Sequence, residues 1–502
     1  MNSEQLHQRL ASRAREIIFG PKADRSIEEE LSYAVEVDRA HLVMLLEQNI
    51  LDPAPTLQLL QAIEDLRDSH YVPLLGQSAP QGLFFLLENY LIETQGAAVG
   101  GLLQTARSRN DLNATTLRLR LRGPYLRLMT EALRLLETLV RFAHRYRTTV
   151  MPAYTHFQPA VPVTYGHYLA GIGLAIGRDL RGLVAASDDL QRCPLGAGAI
   201  GGTTIPINPH RTAELLGFES PSLNSIDAVA SRDIVLRLLS SGAILGLTLS
   251  RFAADLLLWT TQEFGFIVLP DGLVGVSSMM PQKRNPFLLE HIQGRSSSVI
   301  AGFIGAAISM HAKPFTNSAA VGTEAIRQIW SPLQDLTDAI ELVRLVVSAA
   351  QPRPKAMLRR AEESYTVATE LTNRLTLAGM DFRSSHRWVS KTVKAAIAAG
   401  KKRLDVAVVS HLPERRKVNT DHLDPISIVK KSVYGGGPAE TSIESCLEKI
   451  RENIGEVVWQ LKHLRSLWFS SKIGLTKTVA QLLGRVAVKV GQNSEKIKQY
   501  IK

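Results

Sequence analysis

Cysteine is nearly absent from this chain: Cys193 and Cys446 are the only two in 502 residues, and they stand far apart. Neither a disulfide framework nor a zinc cluster is implied by such a pair, and a reducing compartment fits best. Long apolar runs are missing as well. A membrane-spanning helix needs about 18 or more uninterrupted apolar residues, whereas the longest candidate, SGAILGLTLSRFAADLLLW, carries Arg251 and Asp255. It reads as the buried helix of a globular protein. Alternating strand patterns are scarce, which points away from a sheet-based fold. Basic residues are not interleaved with aromatics as in a nucleic-acid groove, although the formal net charge is +11; an acidic membrane surface and small anionic substrates are the other readings of that charge. The first twenty residues hold Arg9, Arg13 and Arg15 together with Glu4 and Glu16, a mixture unlike an acid-poor transit peptide. A cytoplasmic location is the expectation.

What the chain does have is helical periodicity. In SIEEELSYAVEVDRAHLVMLLEQNIL, Leu31, Ala34, Val35, Val37 and Leu42 recur with helical spacing. Residues 112–149, 165–192, 228–264 and 286–312 repeat the pattern over longer spans with few prolines inside, and helices of that length stack into bundles. After Pro352 and Pro354 the elements shorten, a Lys/Arg-rich loop follows at 400–417, and SVYGGGPAE breaks the chain again. The expected organisation is an N-terminal helical domain at 1–105, a central bundle at 106–352, a small helical domain at 353–465 and a basic extension at 466–502. Within that extension, residues 471–502 carry seven Lys/Arg against Glu495 alone, which reads as a solvated helix or appendage, or as a contact for an anionic surface.

Polar chemistry gathers at the breaks between long helices. GAGAIG at 196–201 matches the spacing of a dinucleotide fingerprint, but it lacks the preceding strand and following helix that the fingerprint requires; a tight loop lining a cleft is the better reading. In ARSRND at 106–111, Asn110 or Asp111 suits a helix N-cap. The same stretch, with Ser108, Asn110 and the helix start, also suits a bound carboxylate. In AYTHFQPA, His156 sits beside Thr155 between Pro152 and Pro159, where a general acid near neutral pH is one reading and a structural histidine the other. In GVSSMMPQKRNP at 275–286, Asn285 is expected as the N-cap and Pro286 as the first helical residue. Lys283 and the positive helix end would then converge on the loop, easing ionisation of a serine and welcoming carboxylates. Glu290 lies one turn into that helix, able to pair with a histidine from another segment.

Three of these stretches, SRNDLNATTLRLRLR, YTHFQPAVPVTYGHYL and SSMMPQKRNP, together resemble the signature regions of the fumarase/aspartase superfamily, specifically its argininosuccinate lyase branch. Further similarity covers PLGAGAIGG, NSIDAVASRDIVL, LSRFAADLLLWTTQEFGF and DFRSSHRWV, so that the resemblance spans roughly residues 26–465. It implies an all-α, three-domain fold whose long central helices form the twenty-helix core of a homotetramer, with active sites shared among three subunits and no cofactor. It also implies anti elimination of a small dicarboxylate substrate: a base removes a proton beside a carboxylate, an aci-carboxylate intermediate forms, and a C–N bond breaks to release fumarate. By position, Ser277 is the implied base. Lys283 and Asn285 would hold the carboxylate that gains charge, and His156 paired with Glu290 would serve the departing nitrogen. Ser108, Asn110 and Thr155 would bind the succinyl half. Arg232, within Ser231-Arg232-Asp233, together with Ser26 and Gln158, completes the implied substrate-binding set.

The chain departs from that branch in specific places. Val276, with Gly275 one place earlier, stands where a glycine usually precedes the two serines. Gly82 and Phe84 replace the usual Asp and His, and Gln104 and Ala106 the usual His and Gly. Asn317, Gly322 and Ala325 fall where Tyr, Gln and Lys usually hold the arginine portion. With Phe84 and Phe85 expected to make that side apolar, the leaving amine is expected to be smaller or less charged than arginine. The alternative is an inactive family member acting as a structural or binding protein.

Overall fold

The computed structural model describes residues 27–77, 79, 82–404 and 420–484. Its frame is a set of long helices: α1 (Ile27–Glu47), α2 (Pro53–Asp68), α3 (Leu83–Gln95), α4 (Arg109–Arg145), α5 (Tyr165–Ala186), α6 (Asp233–Thr260), α7 (Phe287–Met310) and α8 (Trp330–Ala349). They are followed by α9 (Pro354–Glu363), α10 (Ala368–Leu377), α11 (Phe382–Ala398), α12 (Pro425–Lys431) and α13 (Glu440–Leu482). The expected long spans are thus present with ends shifted by up to six residues.

Helices α4 to α8 pack side by side because each carries an apolar stripe that only a neighbouring helix can cover. Leu128 and Leu135 of α4, Leu180 of α5, Leu249 of α6, Ile292 of α7 and Ile340 of α8 all belong to one buried cluster. Polar pairs set the directions. Thr248 donates to Asp179 at 2.6 Å and Tyr168 to Asp255 at 2.5 Å, so α5 and α6 run antiparallel. Arg295 and Ser298 of α7 both reach Asp335 of α8, at 2.6 and 2.7 Å. Gly302 allows the close crossing of these two helices: a Cβ there would lie 2.6 Å from Pro332 and 2.9 Å from the Gln328 carbonyl. By length and composition alone α6 could cross a membrane, with half of its most apolar window buried; in the fold it is a bundle helix.

A second core joins α1, α2 and α3 to Leu112 and Leu119 of α4 and to the 193–218 segment. A third lies among α10, α11, Leu404, Leu423 and Ile428. Helix α13 corrects the expected boundary at 465/466. It runs unbroken for 43 residues, placing Ile443, Leu447 and Ile450 in the bundle core and Leu475 and Val479, each 1% exposed, in the N-terminal core. The apolar spacing of this helix continues past 465, and the lysines at 472 and 477 occupy its outer face. The remainder of the basic extension lies outside the described residues.

The break around MPAYTHFQPAVPVTY is also different from a plain loop. Strands β1 (Val150–Thr155) and β2 (Gln158–Thr164) form an antiparallel hairpin with Thr155 opposite Gln158. Its two-residue turn is His156–Phe157, with φ of 50° and 61°.

Candidate active site

One group of expected residues gathers at the start of α4. Ser108 is the N-cap, its hydroxyl accepting the Asn110 N–H at 3.3 Å, and Asp111 in the third helical position returns the bond to the Ser108 N–H at 2.9 Å. This reciprocal cap corrects the expectation that Asn110 or Asp111 would be the cap; Ser-x-x-Asp is the sequence signal for it. The other oxygen of Asp111 accepts the N–H groups of Gly196 at 3.0 Å and Gly198 at 2.9 Å, where φ is 105° and 60°. Burial pushes the Asp111 carboxyl up, opposed by the backbone bonds from Ser108, Gly196 and Gly198 and by the charge of Arg107. The GAGAIG loop is therefore fastened to the helix start. Asn110 joins the same junction, donating to the Ala199 carbonyl at 2.9 Å and accepting from the Asn317 side chain at 2.8 Å.

The neighbouring departures are not a simple apolar wall. Phe84 turns into the N-terminal core, with the Arg107 guanidinium 5.7 Å from its ring. Arg107 itself is ion-paired to Asp38 at 2.6 Å with both side chains fully buried. Phe85 is covered by the guanidinium of Arg109 at 4.8 Å. The side expected to be apolar thus carries cations stacked on its two rings, which the sequence pattern did not indicate. Ala106 takes φ of 59°, a conformation glycine adopts without strain. Ala325 is fully buried.

A second group lies on the hairpin and the 275–290 segment. Thr155, His156 and Gln158 are all exposed at the hairpin tip. Positive φ at a His–Phe turn is a strained choice, of the kind that collects at functional sites. Behind the tip is a cavity of about 550 Å³, lined among others by Tyr154, His156, Phe157, Tyr168, Asp255 and Trp259. The 277–283 loop is pinched at its base by two antiparallel pairs, Gly275 with Asn285 and Val276 with Arg284. Asn285 is therefore part of a short strand, and the helix cap falls on Pro286, with α7 beginning at Phe287. That is a one-residue correction to the expected start. Gly275 is where it is because of Phe287: a Cβ there would lie 2.9 Å from the ring. Val276 points to solvent, 89% exposed.

Within the loop, the Ser277 hydroxyl oxygen accepts the backbone N–H groups of Met279 at 3.3 Å and Met280 at 3.0 Å. Two donors aimed at one oxygen favour its anionic form. Lys283 and Glu290 are exposed. No ion pair joins Glu290 to His156 among the described residues.

Arg232 differs from both groups. It is 2% exposed, donates to the carbonyls of Val229 at 2.6 Å and Ser231 at 2.8 Å, and is pushed down to about 10 by burial and by Arg118. It fastens the turn before α6. Ser26 lies outside the described residues.

The two groups do not meet. Ser108 and Asn110 flank the first residue of α4, whereas the hairpin follows its last. At 1.5 Å per residue the 37 residues of α4 span roughly 55 Å. The antiparallel run of α6 and α7 carries Ser277, Lys283, Asn285 and Glu290 to the hairpin end, and α7 returns Asn317 to the Asn110 end. A site using both groups needs more than one copy of the chain.

Comparison with known proteins follows these motifs. Residues 86–301 match the family model described as lyase. The chain is 36% identical to argininosuccinate lyase of Thermus thermophilus over 74% of its own length and 80% of the relative's. It is 33% identical to that of Methanothrix thermoacetophila over 86% and 89%. Among solved structures, EDDS lyase in complex with formate is similar at a TM-score of 0.82 and 29% identity, over 93% of this chain and 97% of that one. A variant of EDDS lyase with bound fumarate matches with the same TM-score and identity, over 94% and 99%.

Proposed function

We propose a specific reaction for this chain, which belongs to the argininosuccinate lyase-like branch of the fumarase/aspartase superfamily and is a carbon–nitrogen lyase: anti elimination of an N-substituted aspartate to fumarate and an amine. The observation that carries it is the Ser277 oxygen held by two backbone N–H groups. Those donors orient the hydroxyl, and by its position in the motif Ser277 is the base that takes the proton beside the substrate carboxylate. The electron pair moves into that carboxylate, and Lys283 and Asn285 hold the aci-carboxylate that results. Interactions that strengthen as charge develops lower the barrier rather than merely tightening binding. The pair then returns to expel nitrogen, with His156 supplying or orienting the proton; its pairing with Glu290, which does not form within one chain, is made between copies. Ser108, Asn110, Thr155 and Gln158 bind the succinyl half. No cofactor takes part in this reading.

The site is assembled between copies. Its two halves lie at opposite ends of α4. Exposed Ile244, Leu247 and Leu258 on α6, with Ile304 and Ile308 on α7, form apolar stripes suited to the helices of other subunits. A homotetramer with shared sites fits both facts. The leaving amine is smaller or less charged than arginine: Asn317, Gly322 and Ala325 supply no long side chain to grip a guanidinium.

The test is fumarate release, followed by ultraviolet absorbance, across argininosuccinate and N-substituted aspartates with neutral or acidic amines. Release is expected from at least one, faster than from argininosuccinate, with Ser277→Ala lowering kcat by about 10²–10⁴. Silence across the panel from a correctly assembled protein would leave the inactive reading in place, and argininosuccinate as the best substrate would overturn the amine assignment.

A further inference from the structure

The amide of Asn110 is oriented by its surroundings. The Ala199 carbonyl can only accept, so Asn110 must turn Nδ2 toward it, at 2.9 Å. That leaves Oδ1 facing Asn317, which must offer its own Nδ2, at 2.8 Å. The polarity then runs on: Asn317 is forced to point Oδ1 the other way, and a Cβ on Gly322 would lie 2.7 Å from that oxygen. Three residues far apart in sequence, Ala199, Asn110 and Asn317, form one directed chain of amides. It ends against Gly322, where a Cβ would force the Asn317 oxygen to shift. The second Nδ2–H of Asn110 has no partner among the described residues, and the side chain lies partly buried beside the cap of α4.

We propose that Asn317 is a positioning residue, fixing the Asn110 amide so that its remaining N–H donates to a substrate carboxylate oxygen, and that Gly322 is the glycine this arrangement requires. The inference rests on the reading that the α4 cap binds the succinyl half. It links two of the departures from the branch, at 317 and 322, through one contact in this chain. Residue 322 sits in a π-helical turn, Ala320–Glu324, at ordinary negative φ, so an alanine there is opposed by the Asn317 oxygen and not by the backbone.

The experiment measures fumarate binding by calorimetry on the assembled protein, with melting temperature recorded in parallel. Asn317→Asp places a carboxylate oxygen against the Asn110 oxygen and forces the amide to turn. Its fumarate Kd rises at least tenfold over wild type near neutral pH. That ratio shrinks as the pH falls to about 5 and the new carboxyl begins to take up the proton it needs to donate. A merely structural defect would not recover with acid. Gly322→Ala reproduces the weaker binding of Asn317→Ala, and the double variant binds no worse than Asn317→Ala alone, because both changes break the same contact. A ratio for Asn317→Asp that stays near one, or that does not change with pH, overturns the proposal, as does strict additivity of Gly322→Ala and Asn317→Ala. Wild-type protein that binds no fumarate overturns instead the functional reading on which it rests.

Discussion

The carboxylate of Asp111 accepts the backbone N–H of Gly198 at 2.9 Å across 87 residues of sequence. The same side chain caps α4 and holds Gly196, so one buried carboxylate couples a helix start to the loop beside it. Asp111→Asn keeps the size but can present only one acceptor oxygen to N–H groups on both sides. Unfolding free energy is expected to fall by about 1–3 kcal/mol, with weaker fumarate binding because Asn110 and Ala199 lose their common anchor. Denaturant titration and calorimetry check both; unchanged stability would show that Asp111 does not hold the junction.

His41 gives stability a pH dependence of known sign. It is 1% exposed, its Nε2–H donates to the Thr105 carbonyl at 2.8 Å, and burial, aided by the charge of Arg107, pushes it from 6.5 down to about 3. The unfolded chain therefore binds a proton that the folded chain refuses between those values. Stability from this residue is complete above the unfolded pKa and is lost as pH falls through the window, by up to about 1.4 kcal/mol per pH unit. Comparing wild type with His41→Asn in urea from pH 7 to pH 5 should show a shallower slope in the variant. Parallel slopes would count against a neutral buried imidazole.

Ala106 holds φ of 59°, where a Cβ costs roughly 1–2 kcal/mol. Ala106→Gly relieves that strain but adds about 0.4–1 kcal/mol of unfolded-chain entropy, leaving a small net gain. A melting temperature raised by a few degrees or less is the expected outcome, and a lowered one would mean that the alanine methyl group is packed to advantage.

Separation of the two residue groups along α4 predicts complementation. Asn110→Ala and Ser277→Ala each disable a different end of the bundle. When the two inactive variants are mixed one to one, dissociated and reassembled, about a quarter of sites draw both ends from intact copies. Activity recovering toward that fraction, measured as fumarate release, supports shared sites; none recovered would place both ends in one chain.

Much of the frame was legible because helical periodicity is a local property. The spans 165–192 and 286–312 differ from α5 and α7 mainly at their ends, where capping geometry decides. Other features were hidden for identifiable reasons. The β1–β2 hairpin is masked by Pro152, Pro159 and Pro162 and by a His–Phe turn that lacks the glycine or asparagine usual for positive φ. Asn285 reads as a cap beside Pro286, but its pairing with Gly275 draws it into a strand. The continuation of α13 past residue 465 was obscured by its lysines, which lie outside while Leu475 and Val479 lie in the core.

By itself the sequence determined the helical class and the chemical types available: a serine, lysine and asparagine in one loop, a histidine at a break, a hydroxyl and amide at a helix start. Spacing and side-chain identity suffice for that. Tertiary structure alone decided how they combine. Helix α4 keeps the two groups roughly 55 Å apart. Phe84 and Phe85 meet guanidinium groups, and a carbonyl that can only accept sets the direction of Asn110 and Asn317. These depend on helix length, direction and through-space contact, which no local pattern encodes.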